Sequence, residues 1–226
     1  IREHNGALEM WSLAKSSFVH TSPDSGYVFD VEVSNSGGRR YFQNLHLKPY
    51  RERSFEPSNL DPITGNAKEP FVRLTSMINV RGDRTGTYMG TAEAEVYFRK
   101  VVDDYGNDVG TGNSIKFIFK DSVDRTIDPN LFNETKWEDL IHGFDMSKTN
   151  DHVRYNVAFP IPLTNRATRY TNVAGTLAHT TFKYSRLGFG NIRQDATLTF
   201  DFAIYEKGDW EIIVVFPSES PKFTND

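Results

Sequence analysis

Apolar and polar residues alternate with a period of two along much of this chain. In the segment 27–33, Tyr27, Phe29, Val31 and Val33 share one side, with Val28, Asp30 and Glu32 between them. Ile115, Phe117 and Phe119 repeat the pattern, as do Val153, Tyr155, Val157 and Phe159. Leu198, Phe200, Phe202 and Ile204 give its clearest form, opposed by Thr197, Thr199 and Asp201. Successive side chains of a strand point to opposite faces, so this period predicts half-buried antiparallel strands. Further strands are expected over 41–47, 71–80, 87–102, 176–184 and 211–216.

The connections carry turn chemistry. Ser36-Gly37-Gly38 separates the first two strands, and Arg81-Gly82-Asp83-Arg84-Thr85-Gly86 reads as a hairpin tip. Residues 103–113 form another polar turn, and Glu206-Lys207-Gly208-Asp209 predicts a tight hairpin between the last two strands. Residues 54–70 hold three prolines (Pro57, Pro62 and Pro70) and read as a long loop. Helix is scarce. A short amphipathic helix is expected over 6–15. A better one spans 133–142, where Trp137, Leu140 and Ile141 share a face and Asn133 or Thr135 can cap it.

These elements predict an all-β fold: a single antiparallel two-sheet β-sandwich, jelly-roll-like, with one short crossover helix. The expected division is an N-terminal arm (1–24), the sandwich (25–216) and a C-terminal tail (217–226), extended unless a neighbour holds it.

Composition narrows the chemistry. The chain has 226 residues, no cysteine, 26 Lys+Arg against 30 Asp+Glu, and 17 Phe, 10 Tyr and 3 Trp. Without cysteine there is no disulfide scaffold, thiolate metal site or cysteine nucleophile. The near balance of charge argues against a protein that coats nucleic acid, and residues 1–15 carry too few basic groups for a packaging arm. No apolar run is long enough for a membrane-spanning helix.

Few motifs point to catalysis. There is no Gly-x-Ser-x-Gly elbow, phosphate loop or dinucleotide fingerprint. Six scattered histidines give no ordered triad in the sequence. Glu93 and Glu95, two apart on an expected strand, would share a face as paired carboxylates do in sandwich glycosidases, or stand on a wet face. Asp103, Asp104, Asn107 and Asp108 crowd a turn and are candidate Ca²⁺ ligands. The spacing fails the EF-hand pattern, with Gly106 third and Val109 sixth from Asp104, and turn dihedrals alone explain such residues. The groups Asp139, His142, Asp145 and Asp151, His152 are sparse for a transition metal. Arg81, Gly82 and Asp83 form a cation–carboxylate triplet of the adhesive, receptor-binding kind. Arg39, Arg40, Lys48, Arg51 and Arg53 interleave with aromatics, as a subunit contact or an ion-paired strand would. Tyr88, Tyr97, Tyr184, Tyr205 and Trp210 are candidates for stacking on sugar rings.

No motif is dense enough to mark an enzyme, so the first expectation is a non-enzymatic structural subunit. It would be of the virion (capsid or tail) or surface-appendage kind, located on a virion or outside the cell, with itself or other subunits as partners. The alternative is a carbohydrate-binding sandwich, with or without glycoside hydrolase or lyase activity. No cofactor is expected, Ca²⁺ being the one ion with candidate ligands.

Overall fold

A computed structural model describes residues 14, 19–20, 26–49, 53–61, 64, 66–107, 109 and 112–226. The helix expected at 6–15, nearly all of the arm 1–24, and Asp108 lie outside the described residues. The chain divides into two compact units, Ile1–Arg53 with Leu60–Lys68, and Ser54–Asn59 with Glu69–Asp226.

In the first unit, strands β1 (Tyr27–Asn35) and β2 (Gly38–Leu47) form a two-stranded antiparallel hairpin closed at Ser36–Gly37. Tyr27 pairs with Leu47, Phe29 with Leu45 and Val31 with Phe42. Directly opposed residues share a face. The predicted stripe of β1 is therefore continued across the hairpin by Phe42, Leu45 and Leu47.

Among its described residues the second unit holds nine strands. These are β3 (Phe55–Glu56), β4 (Ser76–Ile78), β5 (Glu95–Lys100), β6 (Ser114–Lys120), β7 (Gly143–Lys148), β8 (Val153–Val157), β9 (Ala178–Gly188), β10 (Ile192–Ile204) and β11 (Asp209–Val215). In one sheet β10 is central: β9 runs along one edge, and β4 and β3 pair with successive parts of it. The other sheet has the order β5-β11-β6-β8-β7 and is antiparallel except for the parallel pair β11–β6. The fold is all-β and sandwich-like, as the alternation predicts.

Aromatic rings join the two sheets. Phe117 of β6 meets Phe182 of β9 at 5.5 Å and Phe202 of β10 at 6.2 Å, and Phe98 of β5 meets Phe200 at 5.8 Å. Phe119, Phe132 and Trp137 surround Phe182 from the side. Each ring removes a large apolar area from water, which is how a chain of modest hydrophobic content builds this core.

Several expectations are corrected. Residues 71–80 and 87–102 are mostly irregular, with strand only at β4 and β5. The loop 54–70 opens with β3, whose Phe55 stacks on Phe98 at 4.3 Å. Residues 206–209 do not close a hairpin, because β10 and β11 belong to different sheets. No α-helix forms at 133–142, where the chain makes a 3₁₀ turn at Trp137–Asp139, with another just before it at Pro129–Leu131. The apolar face expected there is real, since Trp137, Leu140 and Ile141 are all buried.

Asn133 and Thr135 are not helix caps, because they serve β9 instead. The Asn133 side chain accepts from Ser185 N–H (2.8 Å) and donates to Ser185 C=O (3.1 Å). Thr135 Oγ1 does the same for Lys183, at 2.7 and 3.0 Å. Residues that satisfy orphan N–H groups at a helix start here satisfy a sheet edge.

The tail lies on its own unit. Pro221 bridges to Gly82, Phe223 packs on Phe132 (5.1 Å) and Tyr184 (4.7 Å), and Asp226 pairs with Arg186 at 2.9 Å and Lys222 at 2.6 Å.

Candidate functional site

Glu93 and Glu95 do not share a strand face. Glu93 ends the 3₁₀ turn Thr91–Glu93, and its carboxylate accepts Gly90 N–H at 2.7 Å. Glu95 opens β5 and accepts the Tyr97 hydroxyl at 2.8 Å. Burial, with help from Glu95, raises the Tyr97 phenol above its usual range.

The Arg81-Gly82-Asp83 triplet is held rather than free. Arg81 lies over the Tyr88 ring at 4.1 Å and donates to Gly86 C=O at 2.8 Å. Asp83 N–H donates to Ser220 C=O at 2.9 Å. The Glu219 carboxylate accepts Arg84 N–H and Thr85 N–H, each at 2.9 Å, and the Thr85 hydroxyl at 2.7 Å. These bonds hold the Glu219 carboxyl below its usual range. A Cβ at Gly82 would meet that carboxylate at 2.2 Å, so any larger residue here would displace Glu219 from these bonds.

The turn acids are used locally too. Asp103 accepts the N–H of Asn107 (2.8 Å) and Tyr105 (2.9 Å), an arrangement that lowers its pKa. Asp104 is exposed. Among the described residues, no three His, Asp or Glu side chains gather as a metal site would require.

The aromatic candidates divide by burial. Trp210 is corrected: it is buried, with its indole N–H donating to Glu206 C=O at 2.9 Å, so neither face is open to a sugar. Tyr184 is buried as well, which pushes its phenol up to about 12. Tyr88 and Tyr205 are exposed, and Tyr97 is half-buried against Phe71.

Two features stand out that no motif announced. The first is a cross-strand chain of polar groups. Asp201 of β10 lies opposite His179 of β9 in register. The His179 ring reaches Asp201 Oδ1 through Nδ1 at 2.6 Å and Thr181 Oγ1 through Nε2 at 3.2 Å. This carboxylate–imidazole–hydroxyl sequence orients the ring and can relay a proton. The i, i+2 spacing of His179 and Thr181 is visible in the sequence, but the partner Asp201 is set by register alone.

The second feature is a pair of hollows, both bordered by residues of the segments 134–142, 168–171 and 178–183, the apolar one also by residues 158–164. A polar hollow of about 210 Å³ is bordered by Lys136, Asp139, Arg169, His179, Thr181 and Lys183, among others. An apolar one of about 190 Å³ is bordered by Ile141, Ile161, Leu163 and Ala178, with His142 stacked on Tyr170 at 5.4 Å. Asp139 and Arg169 form an ion pair at 3.0 Å, and Arg169 also lies over the Tyr170 ring at 4.6 Å.

The hairpin presents a different kind of surface. No residue of β1 or β2 is buried, and Val33, Phe42 and Leu47 of the apolar face are more than 40 % exposed. Arg39 pairs with Glu32 at 3.4 Å on the opposite face.

No helix of the described residues is long and apolar enough to cross a membrane. Neither a curated protein nor a solved structure matches the chain. One family matches residues 1–225, and the chain belongs to it: the family described as Domain of unknown function (DUF5007).

Proposed function

We propose that the protein is a structural subunit that acts by contact with further copies of itself, made through the apolar face of the β1–β2 hairpin. The carrying observation is that face: Tyr27, Phe29, Val31, Val33, Phe42, Leu45 and Leu47 together, none of them buried, with Arg40 opposite Val33 as its one charged member near the turn. A two-stranded hairpin is marginal in water without a third strand or a packed face. No further strand of the described residues pairs with it. A second copy suits the face because identical apolar faces are self-complementary about a two-fold axis. Two such sheets would pack about 10 Å apart, as in any sandwich core.

Light scattering at two protein concentrations tests this, with Val31→Lys/Phe42→Glu as the comparison. Val31 and Phe42 are directly opposed. The exchange puts a cross-strand ion pair in place of an apolar pair, so the hairpin keeps its pairing while its face becomes charged. The expected result is a concentration-dependent oligomer for the natural chain and a folded monomer for the variant. A natural chain that is monomeric throughout, or a variant of unchanged mass, refutes the reading.

A further inference from the structure

The outer edge of β9 is capped along nearly its whole length, and the one gap opens on the polar hollow. In an antiparallel pair, alternate residues turn their backbone groups toward the partner strand. Since β9 pairs with β10 through its even-numbered positions, the odd ones face outward. His179 N–H donates to Tyr170 C=O. Both groups of Lys183 and of Ser185 are met by Thr135 and Asn133. Those of Leu187 are met by the Asn225 side chain and Asp226 N–H. Between them, His179 C=O and Thr181 N–H and C=O find no hydrogen-bond partner among the described residues.

We propose that this gap is a binding site for a hydroxyl-rich anion, specifically a saccharide unit bearing a carboxylate. Two observations set the ligand class. The gap presents one backbone donor, two backbone acceptors and the Thr181 hydroxyl in a space of about 210 Å³. A sugar hydroxyl both donates and accepts, so adjacent hydroxyls match this mixed row. The gap is too short for strand addition by a peptide, which needs several consecutive backbone pairs.

Charge supplies the other half. Asp139 pairs with Arg169, and Glu134 pairs at 3.0 Å with Arg193, which Asp195 shares at 2.7 Å. Lys136 and Lys183, both exposed, border the hollow with no carboxylate partner among the described residues. Of the charged side chains bordering the hollow, Lys136, Arg169 and Lys183 are cations and Glu134 and Asp139 are carboxylates, so positive charge is in surplus beside the hydroxyl-matching edge, and a carboxylate on the sugar would meet the lysine ammonium groups.

The test follows backbone amide resonances during titration with D-glucuronate, D-glucose and acetate. Glucuronate is expected to shift the Thr181 amide and to bind about tenfold more tightly than either glucose or acetate, because it alone meets both the edge and the ammonium groups. In Lys136→Gln/Lys183→Gln, glucuronate should fall to the level of glucose. Both lysines are exposed, so the fold is retained and an unchanged amide spectrum elsewhere verifies it. A Thr181 amide that stays still with millimolar glucuronate overturns the proposal. So does acetate acting as strongly as glucuronate, which would make this a plain carboxylate site, or a double variant that binds glucuronate unchanged. The titration reports on β9 and is independent of whether the hairpin assembles.

Discussion

Glu211 is the residue on which the outer face of the five-stranded sheet depends. It is buried, yet Lys116 Nζ lies 2.9 Å from one of its oxygens and Arg99 donates to the other. Burial opposes its ionisation, but these two cations outweigh it and leave the carboxyl below its usual range. Glu211→Gln is expected to cost about 1–3 kcal/mol in urea unfolding, because it leaves charged donors facing a neutral amide. Arg99 is well exposed, which places the effect toward the lower end. A second expectation concerns acid. Glu219 and Asp226 are both held below the usual carboxylate range, Asp226 at about 2, by the Thr85 bonds and by Lys222 with Arg186 respectively. Their contribution is therefore complete above the unfolded values and is lost as pH falls through the folded ones. Protection of the Asp83, Arg84 and Leu187 amides, measured against the intrinsic exchange rate at each pH, should fall as pH drops from about 5 toward 2, ahead of protection in β6. At this scale the sequence was a poor guide to roles. Glu93 and Glu95 suggest a site by their spacing and Asp103 by its place in a crowded turn, yet each is occupied by a backbone or hydroxyl donor nearby. His179 and Asp201, 22 positions apart, gave no signal because register joins them.

At the scale of the element, β10 and β6 were legible because one face of each meets rings and the other does not. Phe182 in β9 sits where those faces converge, among Phe117, Phe119, Phe132 and Trp137. Phe182→Ala should cost about 3–5 kcal/mol, read from the urea midpoint at constant slope. The segment 133–142 differs from its pattern for a physical reason: apolar residues at i, i+3 and i+4 mark a helix face, but a 3₁₀ turn followed by bends places the same three side chains inward. Asn and Thr before that pattern suggest caps, and only the structure reveals that the edge of β9 is what they cap. Asn133→Ala should consequently expose Ser185 N–H to rapid hydrogen exchange with little change at Lys183, which Thr135 still covers.

At the scale of the whole molecule, the sandwich class followed from strand number and turn chemistry, while strand order did not. Pairing β11 in parallel with β6, and sending β10 and β11 to different sheets, leaves no local mark in the residues at 206–209. The short polar tail predicts an extended segment without a seat of its own, yet Glu219, Phe223 and Asp226 each find partners on its own unit. Removing residues 217–226 should lower the urea midpoint, since it uncovers Phe132 and Tyr184 and strips the buried Arg186 of its carboxylate. A truncated chain as stable as the full one would refute that account.

The central places of β10 and β11 also set an order of events during synthesis. A ribosome releases β3 to β9 first, and none of β3, β4, β5 or β9 has its main partner until residues 192–215 emerge. The nascent chain therefore waits with several unsatisfied strand edges and a half-built aromatic core. Such a chain is a substrate for chaperones and proteases, and it closes late and cooperatively. A nonsense change near residue 190 would yield this waiting state permanently, as an aggregation-prone fragment rather than a smaller folded domain.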